Sequence, residues 1–127
     1  MTQQLEAITT ATLSLALEAA SRRQQAFAAN IANAATEGYT PVRVAFESQL
    51  AEARQALRDK GTVDAFALAG VRLETEAVLD AEGQPAKVQL DVEVAEMARN
   101  AVQYQALTQG LSRHLSILAA AAADGKK

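Results

Sequence analysis

The sequence contains no cysteine and no tryptophan, and it has only three phenylalanines, two tyrosines and one histidine in 127 residues. Without cysteine there can be no disulfide bond, thiolate metal site or thiol nucleophile. A single histidine leaves few ways to activate a serine or threonine nucleophile. Large side chains are too scarce for a deep core, whereas thirty alanines favour helices. Length and composition are typical of one soluble domain.

Positive charge is also scarce, since twelve Lys and Arg face fifteen Asp and Glu. The basic residues are dispersed and the six glycines stand singly, so neither a nucleic-acid surface nor a phosphate loop is indicated. The longest apolar run, Ile117 to Ala123, is far shorter than the roughly 20 residues of a membrane span. No positive region precedes the first leucines, so we expect no cleaved secretory signal and no direct membrane insertion.

Charge divides the chain into three parts. Five charged residues lie between Met1 and Val42, fourteen between Arg43 and Lys87, and eight between Val88 and Lys127. We therefore divide one structural domain into an N-terminal assembly helix (1–36), a charged middle region (37–89) and a C-terminal heptad helix (90–123). Outward positions of the terminal helices hold Gln, Ser, Thr and Ala instead of charge, which favours contact with neighbours.

The C-terminal part carries a heptad pattern, in which apolar or small residues alternate steps of four and three. Its members are Leu90, Val94, Met97, Ala101, Tyr104, Thr108, Leu111, Leu115, Leu118 and Ala122. A helix from Leu90 to Ala123 would be roughly 50 Å long. Because a domain of this size cannot bury such a stripe alone, the pattern predicts a partner helix.

The N-terminal part supplies that partner with a broad apolar face made of two adjacent stripes. One stripe contains Leu5, Ile8, Thr12, Leu15 and Ala19, and the other contains Leu13, Leu17, Ala20, Phe27 and Ile31. A broad face can contact two neighbours at once, which favours a bundle. The helix should end near Thr36, because Gly38 suits a left-handed cap and Pro41 cannot continue the helix.

The middle region predicts a shorter helix at 44–60 with an apolar side formed by Phe46, Leu50, Ala53 and Leu57, ended by Gly61. Residues 61–89 then form an irregular or short-β arm, since Val71 and Leu73 alternate with charged residues and Gly83-Gln84-Pro85 is a turn signal. The expected fold is mainly α, with long terminal helices paired as a coiled-coil-like bundle.

The most distinctive stretch is Ala29-Asn30-Ile31-Ala32-Asn33-Ala34-Ala35-Thr36-Glu37-Gly38-Tyr39. Asn30 and Asn33 lie on one helix face close to the helix end, where their amides can donate and accept hydrogen bonds. Gly38 turns the chain, and Tyr39 places a ring with a polar tip after the turn. On physical grounds alone, the stretch is typical of a helix C-terminus that is closed by side-chain hydrogen bonds and a glycine turn.

These residues resemble the N-terminal signature of the bacterial flagellar axial proteins, in which an Asn-Ile-Ala-Asn helix end precedes Thr-Pro-Gly-Tyr. The matching positions are Asn30, Ile31, Ala32, Asn33, Thr36, Gly38 and Tyr39, and Glu37 stands where proline is usual. Glu93 to Asn100, followed by Tyr104-Gln105-Ala106-Leu107-Thr108, is similar to the C-terminal helix of the proximal rod proteins. Hook and distal-rod members are longer, so the chain resembles the small rod members of the basal-body rod family.

The resemblance implies a structural, non-enzymatic rod subunit that polymerises through its terminal helices. Partners would be other copies, neighbouring rod proteins, and membrane-ring and ring-rod junction proteins of the basal body. It also implies export through the flagellar type III apparatus, a place in the periplasm-spanning rod, and terminal segments that become ordered on assembly. We assign the assembly seam to Leu5, Ile8, Leu15, Phe27, Leu90, Val94, Met97, Ala101, Tyr104, Leu111, Leu115 and Leu118.

Other polar residues have simpler interpretations than a site. His114 lacks a companion ligand and is expected to be a packing or surface residue. Acidic residues Asp91, Glu93 and Glu96 suit the start of a helix better than a cation site, and Glu74 and Glu76 are expected to be solvated. We therefore expect no catalytic residue, no metal and no cofactor. A cytosolic α-helical adaptor or export chaperone that binds a partner helix is the alternative, and an enzyme is more distant still.

Overall fold

The computed structural model describes residues 2–45, 47–61, 68 and 70–125, and this part of the chain contains three helices and two short strands. In chain order they are α1 (Thr2–Ala32), β1 (Val42–Ala45), α2 (Glu47–Lys60), β2 (Glu74–Ala77) and α3 (Leu90–Asp124). The mainly α fold with two long terminal helices is confirmed.

Helices α1 and α3 pack against each other in antiparallel directions. Polar contacts join Asn30 to Glu93, Gln24 to Asn100, and Thr10 to His114. Residue numbers fall along α1 as they rise along α3, which defines the direction. At about 1.5 Å per residue the helices are roughly 46 and 52 Å long. The predicted pairing of the terminal helices is therefore present within one chain.

A small core lies on another side of α1, against the strands. Ala19 and Ala26 of α1 form a buried cluster with Val44 and Leu73, and Leu15 and Val42 pack against it. Helix α1 thus contacts both α3 and β1, which confirms that its apolar face is broad enough for two neighbours. Because half of this cluster is alanine, the apolar area that it removes from water is modest.

The start of the middle helix differs from the predicted 44–60, because Val44 and Ala45 belong to β1 and α2 begins at Glu47. Val44 is buried and Val42 half-buried, whereas Arg43 between them is exposed. This two-residue alternation of β-branched side chains favours a strand, and packing on α1 selects it. Gly61 ends α2 as predicted, with φ +71° and a 2.9 Å bond from its N–H to the Leu57 carbonyl. Of the predicted apolar side, Phe46 and the side chains of Leu50 and Ala53 lie outside the described residues.

Strands β1 and β2 pair antiparallel, with Val42 opposite Ala77 and Arg43 opposite Glu76. A turn follows in which Asp80 Oδ1 accepts the N–H groups of Glu82 and Gln84 at 3.0 and 2.8 Å. Gly83 has φ +79° there, which confirms the predicted turn. Residues 62–67 and 69 of the predicted arm lie outside the described residues.

The accessible surface of the chain is 9097 Å², about 40% more than the roughly 6,500 Å² expected for a compact monomer of this mass. Seven of the ten exposed large hydrophobic residues in the described ranges lie on α3, where Val102 and Ile117 are each 67% exposed. Across the part of the chain that the structure describes, no helix is long and apolar enough to span a bilayer.

Candidate functional site

Asn30, in the last turn of α1, is only 2% exposed and forms the centre of the motif. Its Nδ2 donates to the Val42 carbonyl at 3.0 Å, and its Oδ1 accepts the Val42 N–H at 3.0 Å. The side-chain amide therefore pairs with both backbone polar groups of Val42, as the backbone of a neighbouring strand would.

Two further bonds complete the site. Tyr39 Oη donates to Asn30 Oδ1 at 2.8 Å, and Asn30 Nδ2 donates to Glu93 Oε2 at 3.1 Å. Two donated and two accepted bonds use the full capacity of a carboxamide. We call Asn30, Tyr39, Val42 and Glu93 the Asn30 cluster. It joins α1, the turn after α1, β1 and α3 at one point.

The turn that brings Tyr39 to the cluster is held by Asn33. Its Nδ2 donates to the Ala29 carbonyl at 2.9 Å, and its Oδ1 accepts the Thr36 hydroxyl at 3.2 Å. The Thr36 N–H also donates to the Asn33 carbonyl at 2.9 Å. The Asn33 N–H keeps its helix bond to the Ala29 carbonyl at 3.0 Å, but the N–H groups of Ala34 and Thr36 bond only three residues back. Helix α1 therefore ends at Ala32 and not near Thr36 as predicted.

Gly38 supplies the left-handed conformation in this turn, with φ +78°, which other residues adopt at a cost. The neighbouring Glu37 is exposed, so the residue that stands where proline is usual in the motif has its side chain in solvent. Of the remaining motif residues, Ile31 is half-buried and Ala32 is exposed.

Burial raises the pKa of Tyr39 above its ordinary value of 10.0, and the nearby Glu93 carboxylate raises it further. Both causes favour the neutral phenol, which is the form that can donate to Asn30 Oδ1. The cluster therefore keeps its hydrogen-bond donor to a higher pH than a tyrosine of ordinary pKa would allow.

The heptad residues of α3 do not all face α1. Met97, Leu111 and Leu118 are half-buried, whereas Leu90, Val94, Ala101, Tyr104 and Leu115 are exposed. A strict seven-residue repeat drifts by about 20° per heptad around a straight helix. Leu118 and Leu111 therefore face α1, and members nearer the start of α3 lie progressively on its flank. Of the seam residues in α1, Leu5 is exposed, and Ile8, Leu15 and Phe27 are half-buried.

A second buried asparagine, Asn100 at 4% exposure, lies in the middle of the α1–α3 contact. Its Nδ2 donates to the Ala20 carbonyl at 2.7 Å and to Gln24 Oε1 at 2.8 Å. Its Oδ1 is the only buried side-chain polar atom without a partner among the described residues. The heptad pattern does not include Asn100, because it was read from apolar and small residues. Asn100 nevertheless lies on the side of α3 that faces α1, three residues after Met97 and four before Tyr104.

The other polar residues considered in the sequence make local contacts. His114 Nε2 lies 3.2 Å from the Thr10 hydroxyl, and Glu76 forms an ion pair with Arg43 across the strands. Asp91 and Glu93 lie in the first turn of α3, where carboxylates favour the helix dipole. Within the described ranges no three His, Asp or Glu residues are grouped as a metal site would require.

Residues 11–40 match the family model described as flagella basal body rod protein. All seven motif residues, from Asn30 to Tyr39, fall within this range. The match supports the flagellar basal-body rod family, whose members are structural components of the rod and not enzymes. It covers about a quarter of the chain, and a search of curated proteins found no match.

Proposed function

We propose that this chain is a structural subunit of the proximal flagellar rod, similar to FlgB. The observation that carries the proposal is the rod-family match over 11–40, the same stretch that contains the Asn30 cluster's anchor residue. The exposed apolar residues of α3 support it further, because they need neighbours to leave water.

The finer assignment rests on the C-terminal resemblance. Tyr104-Gln105-Ala106-Leu107 resembles FlgB more than its relative FlgC, whose helix usually reads with Arg-Ala-Tyr. The described chain also has only short strands between its long helices, in keeping with the small proximal-rod members.

In this role α1 and α3 pair within each subunit, and their exposed faces contact equivalent helices of neighbouring copies and of other rod proteins. A contact that does not close on itself generates a helical tube. Its wall would surround the export channel, and torque would pass through many such contacts. The chain would reach the rod through the flagellar type III apparatus and meet membrane-ring and ring-rod junction proteins at its base.

Leu115→Asp tests this role because Leu115 is 49% exposed, so a charge there is solvated in the free subunit and is buried only on assembly. Expressed in place of the native chain, L115D should give the same circular dichroism spectrum as the wild type but should be absent from purified basal bodies and give non-motile cells. Leu57→Asp makes the same change at a 51% exposed position of α2, outside the two helices that carry the proposed contacts, and as the matched control it should remain motile.

Fractionation separates the rod role from that of a cytosolic adaptor or export chaperone. A rod subunit is recovered with basal bodies, whereas an adaptor stays in the cytoplasm as a stable dimer. Recovery of the wild-type chain only in the cytoplasm would contradict the proposal, and so would an incorporated, motile L115D variant.

A further inference from the structure

Strand β2 has one edge that pairs with β1 and one edge that faces away from it. On the paired edge, Glu76 lies opposite Arg43, and the N–H of Val78 donates to the carbonyl of the residue before β1 at 2.9 Å. In an antiparallel pair, the backbone groups of successive residues point to alternate sides. The N–H and C=O groups of Thr75 and Ala77 therefore point away from β1.

This outward edge continues beyond β2 to Leu79. The carbonyl of Val78 and the N–H of Asp80 bond to the returning chain at Ala86 and Gln84, at 3.0 and 2.8 Å. Because the N–H of Val78 bonds to the segment that leads into β1, the returning chain lies on the same side as β1. Leu79 takes part in a bridge to that chain without a hydrogen bond of its own, so its backbone groups point outward as well.

The outward edge is accessible. Thr75, Ala77 and Leu79 are all exposed, and no hydrogen bond between described residues uses their N–H or C=O groups. We call these three residues the open edge. Its three N–H and three C=O groups form a template to which another extended chain can add as a strand.

Carboxylates lie along the open edge. Residues 72–82 contain four acidic residues and one arginine. Glu74, Glu76 and Asp80 fall on one face of the extended chain, because side chains alternate between the two faces of a strand. Of these three carboxylates, only Glu76 has an ion-pair partner within the described ranges, which is Arg43. The open edge therefore carries uncompensated negative charge at both of its ends.

This charge disfavours a second copy of β2 as the added strand. In a two-fold antiparallel contact, two residues are opposed when their numbers add up to twice the number of the central residue. For every centre from 74 to 78, two carboxylates are then directly opposed, such as Glu74 and Asp80 when the centre is Ala77. Like charges in opposed positions destabilise a strand pair, whereas opposite charges stabilise it. The chemistry of the edge thus selects a basic strand.

From this geometry and charge we propose that the open edge binds an extended basic segment of another protein, added antiparallel to β2. Lys or Arg at alternate positions of the segment face Glu74, Glu76 and Asp80. Apolar or β-branched side chains between them cover Ala77 and Leu79, of which Leu79 is 53% exposed. Backbone bonds supply the affinity, and the alternate side chains supply the selection. This inference goes beyond the proposed rod role and does not depend on it.

The probe that tests this contact is the acetylated and amidated peptide Lys-Val-Thr-Val-Lys-Val-Lys, which places one lysine opposite each of the three carboxylates. Amide hydrogen exchange of the full chain is followed by NMR. With saturating peptide, exchange at Thr75, Ala77 and Leu79 should slow by at least about tenfold.

A matched peptide separates strand addition from charge attraction alone. Methylation of its three valine nitrogens keeps every charge but removes the three donors that face the open edge. The methylated peptide should bind at least about tenfold more weakly, because three backbone bonds are lost.

Two variants test the edge from the side of the protein. Glu74→Lys should weaken peptide binding by about fivefold, whereas Glu52→Lys, the same change at an exposed position of α2, should bind like the wild type. Ala77→Pro removes one outward donor and leaves the bonds to β1 in place, and it should also weaken binding by about fivefold. If A77P changes the circular dichroism spectrum, the methylated peptide makes the same comparison on the wild-type chain.

Absence of binding at millimolar peptide would overturn the proposal. So would equal binding of the methylated peptide, equal losses in E74K and E52K, or slowed exchange only outside the open edge. Exchange at the open edge that slows with protein concentration in the absence of peptide would identify a second copy as the occupant, which also contradicts the proposal. Recovery of the chain with basal bodies tests the rod role separately, so the failure of one proposal leaves the other in place.

Discussion

The two buried asparagines of this protein have opposite hydrogen-bonding outcomes. Asn30 makes four bonds to a tyrosine, a glutamate and both backbone groups of Val42, whereas Asn100 donates two bonds and leaves its Oδ1 without a partner. A buried amide stabilises one arrangement when every group is paired, and it costs free energy when a group is left over. The hydrogen-bonding groups of Asn30, at one end of the helix pair, are therefore all paired within one chain, whereas the Oδ1 of Asn100, in the middle, is not.

The largest expected effect is from Asn30→Ala. The change leaves the N–H and carbonyl of Val42 and the hydroxyl of Tyr39 without their partner, so the free energy of unfolding should fall by about 2–4 kcal/mol. Urea unfolding followed by circular dichroism measures the loss.

Asn33→Ala is the matched control for this change, because Asn33 is half-buried and bonds only within its own turn. Its cost should be about 1 kcal/mol or less. Equal losses in the two variants would show that the Asn30 cluster does not hold the four segments together.

A smaller effect, about 1 kcal/mol, is expected from Tyr39→Phe, which removes the bond to Asn30 Oδ1. Because the folded pKa of Tyr39 is raised, its contribution is fully present below the ordinary value of 10.0 and is lost as pH rises through the folded pKa. The difference in unfolding free energy between wild type and Y39F should therefore shrink above pH 10.0.

Glu93→Gln tests whether Glu93 contributes to the raised pKa of Tyr39. Burial is the larger cause of the raised pKa of Tyr39, and the variant removes the second cause, the Glu93 charge, but keeps an oxygen that can accept from Asn30. Absorbance titration should show Tyr39 ionising at lower pH in E93Q than in wild type. An unchanged Tyr39 titration would contradict the placement of Glu93 in the cluster.

The smallest effect should come from Asn100→Leu. Leucine has nearly the same shape, and the change removes the unpartnered oxygen together with two bonds. The Ala20 carbonyl lies inside α1, where it also accepts a helix bond, and Gln24 is half-buried and can turn toward water. Neither acceptor is left stranded, so the free energy of unfolding should change by less than about 1 kcal/mol. A loss as large as that of N30A would show that the two asparagines are equivalent after all.

Local chemistry made much of this fold predictable. Gly61 and Gly83 mark the end of a helix and a turn, since each adopts a positive φ that its position requires. The sequence also indicated that Asn30 offers hydrogen bonds near the helix end and that Tyr39 follows the turn. These features depend on residues close together in sequence, where spacing alone limits the geometry.

Contacts between distant segments could not be predicted in this way. Glu93 reaches Asn30 only because α1 and α3 pair in one particular register, and no pattern in either helix defines it. The strand at Val42 and Val44 was assigned in part to a helix, because an alternation of three residues is a short signal. Asn100 was missed because a search for apolar stripes excludes a polar residue that faces inward.

The antiparallel pairing of α1 and α3 has a further consequence for labelling. Thr10 lies beside His114, so the first turns of α1 and the last turns of α3 lie together, and both strands and the Tyr39 turn lie toward the far end. In the described part of the chain, the two strands and the Tyr39 turn therefore lie toward one end of the helix pair only. A row of identical copies with this shape has a direction. Fluorophores attached at either terminus would mark the same tip, and energy transfer between them would report whether the pair remains closed.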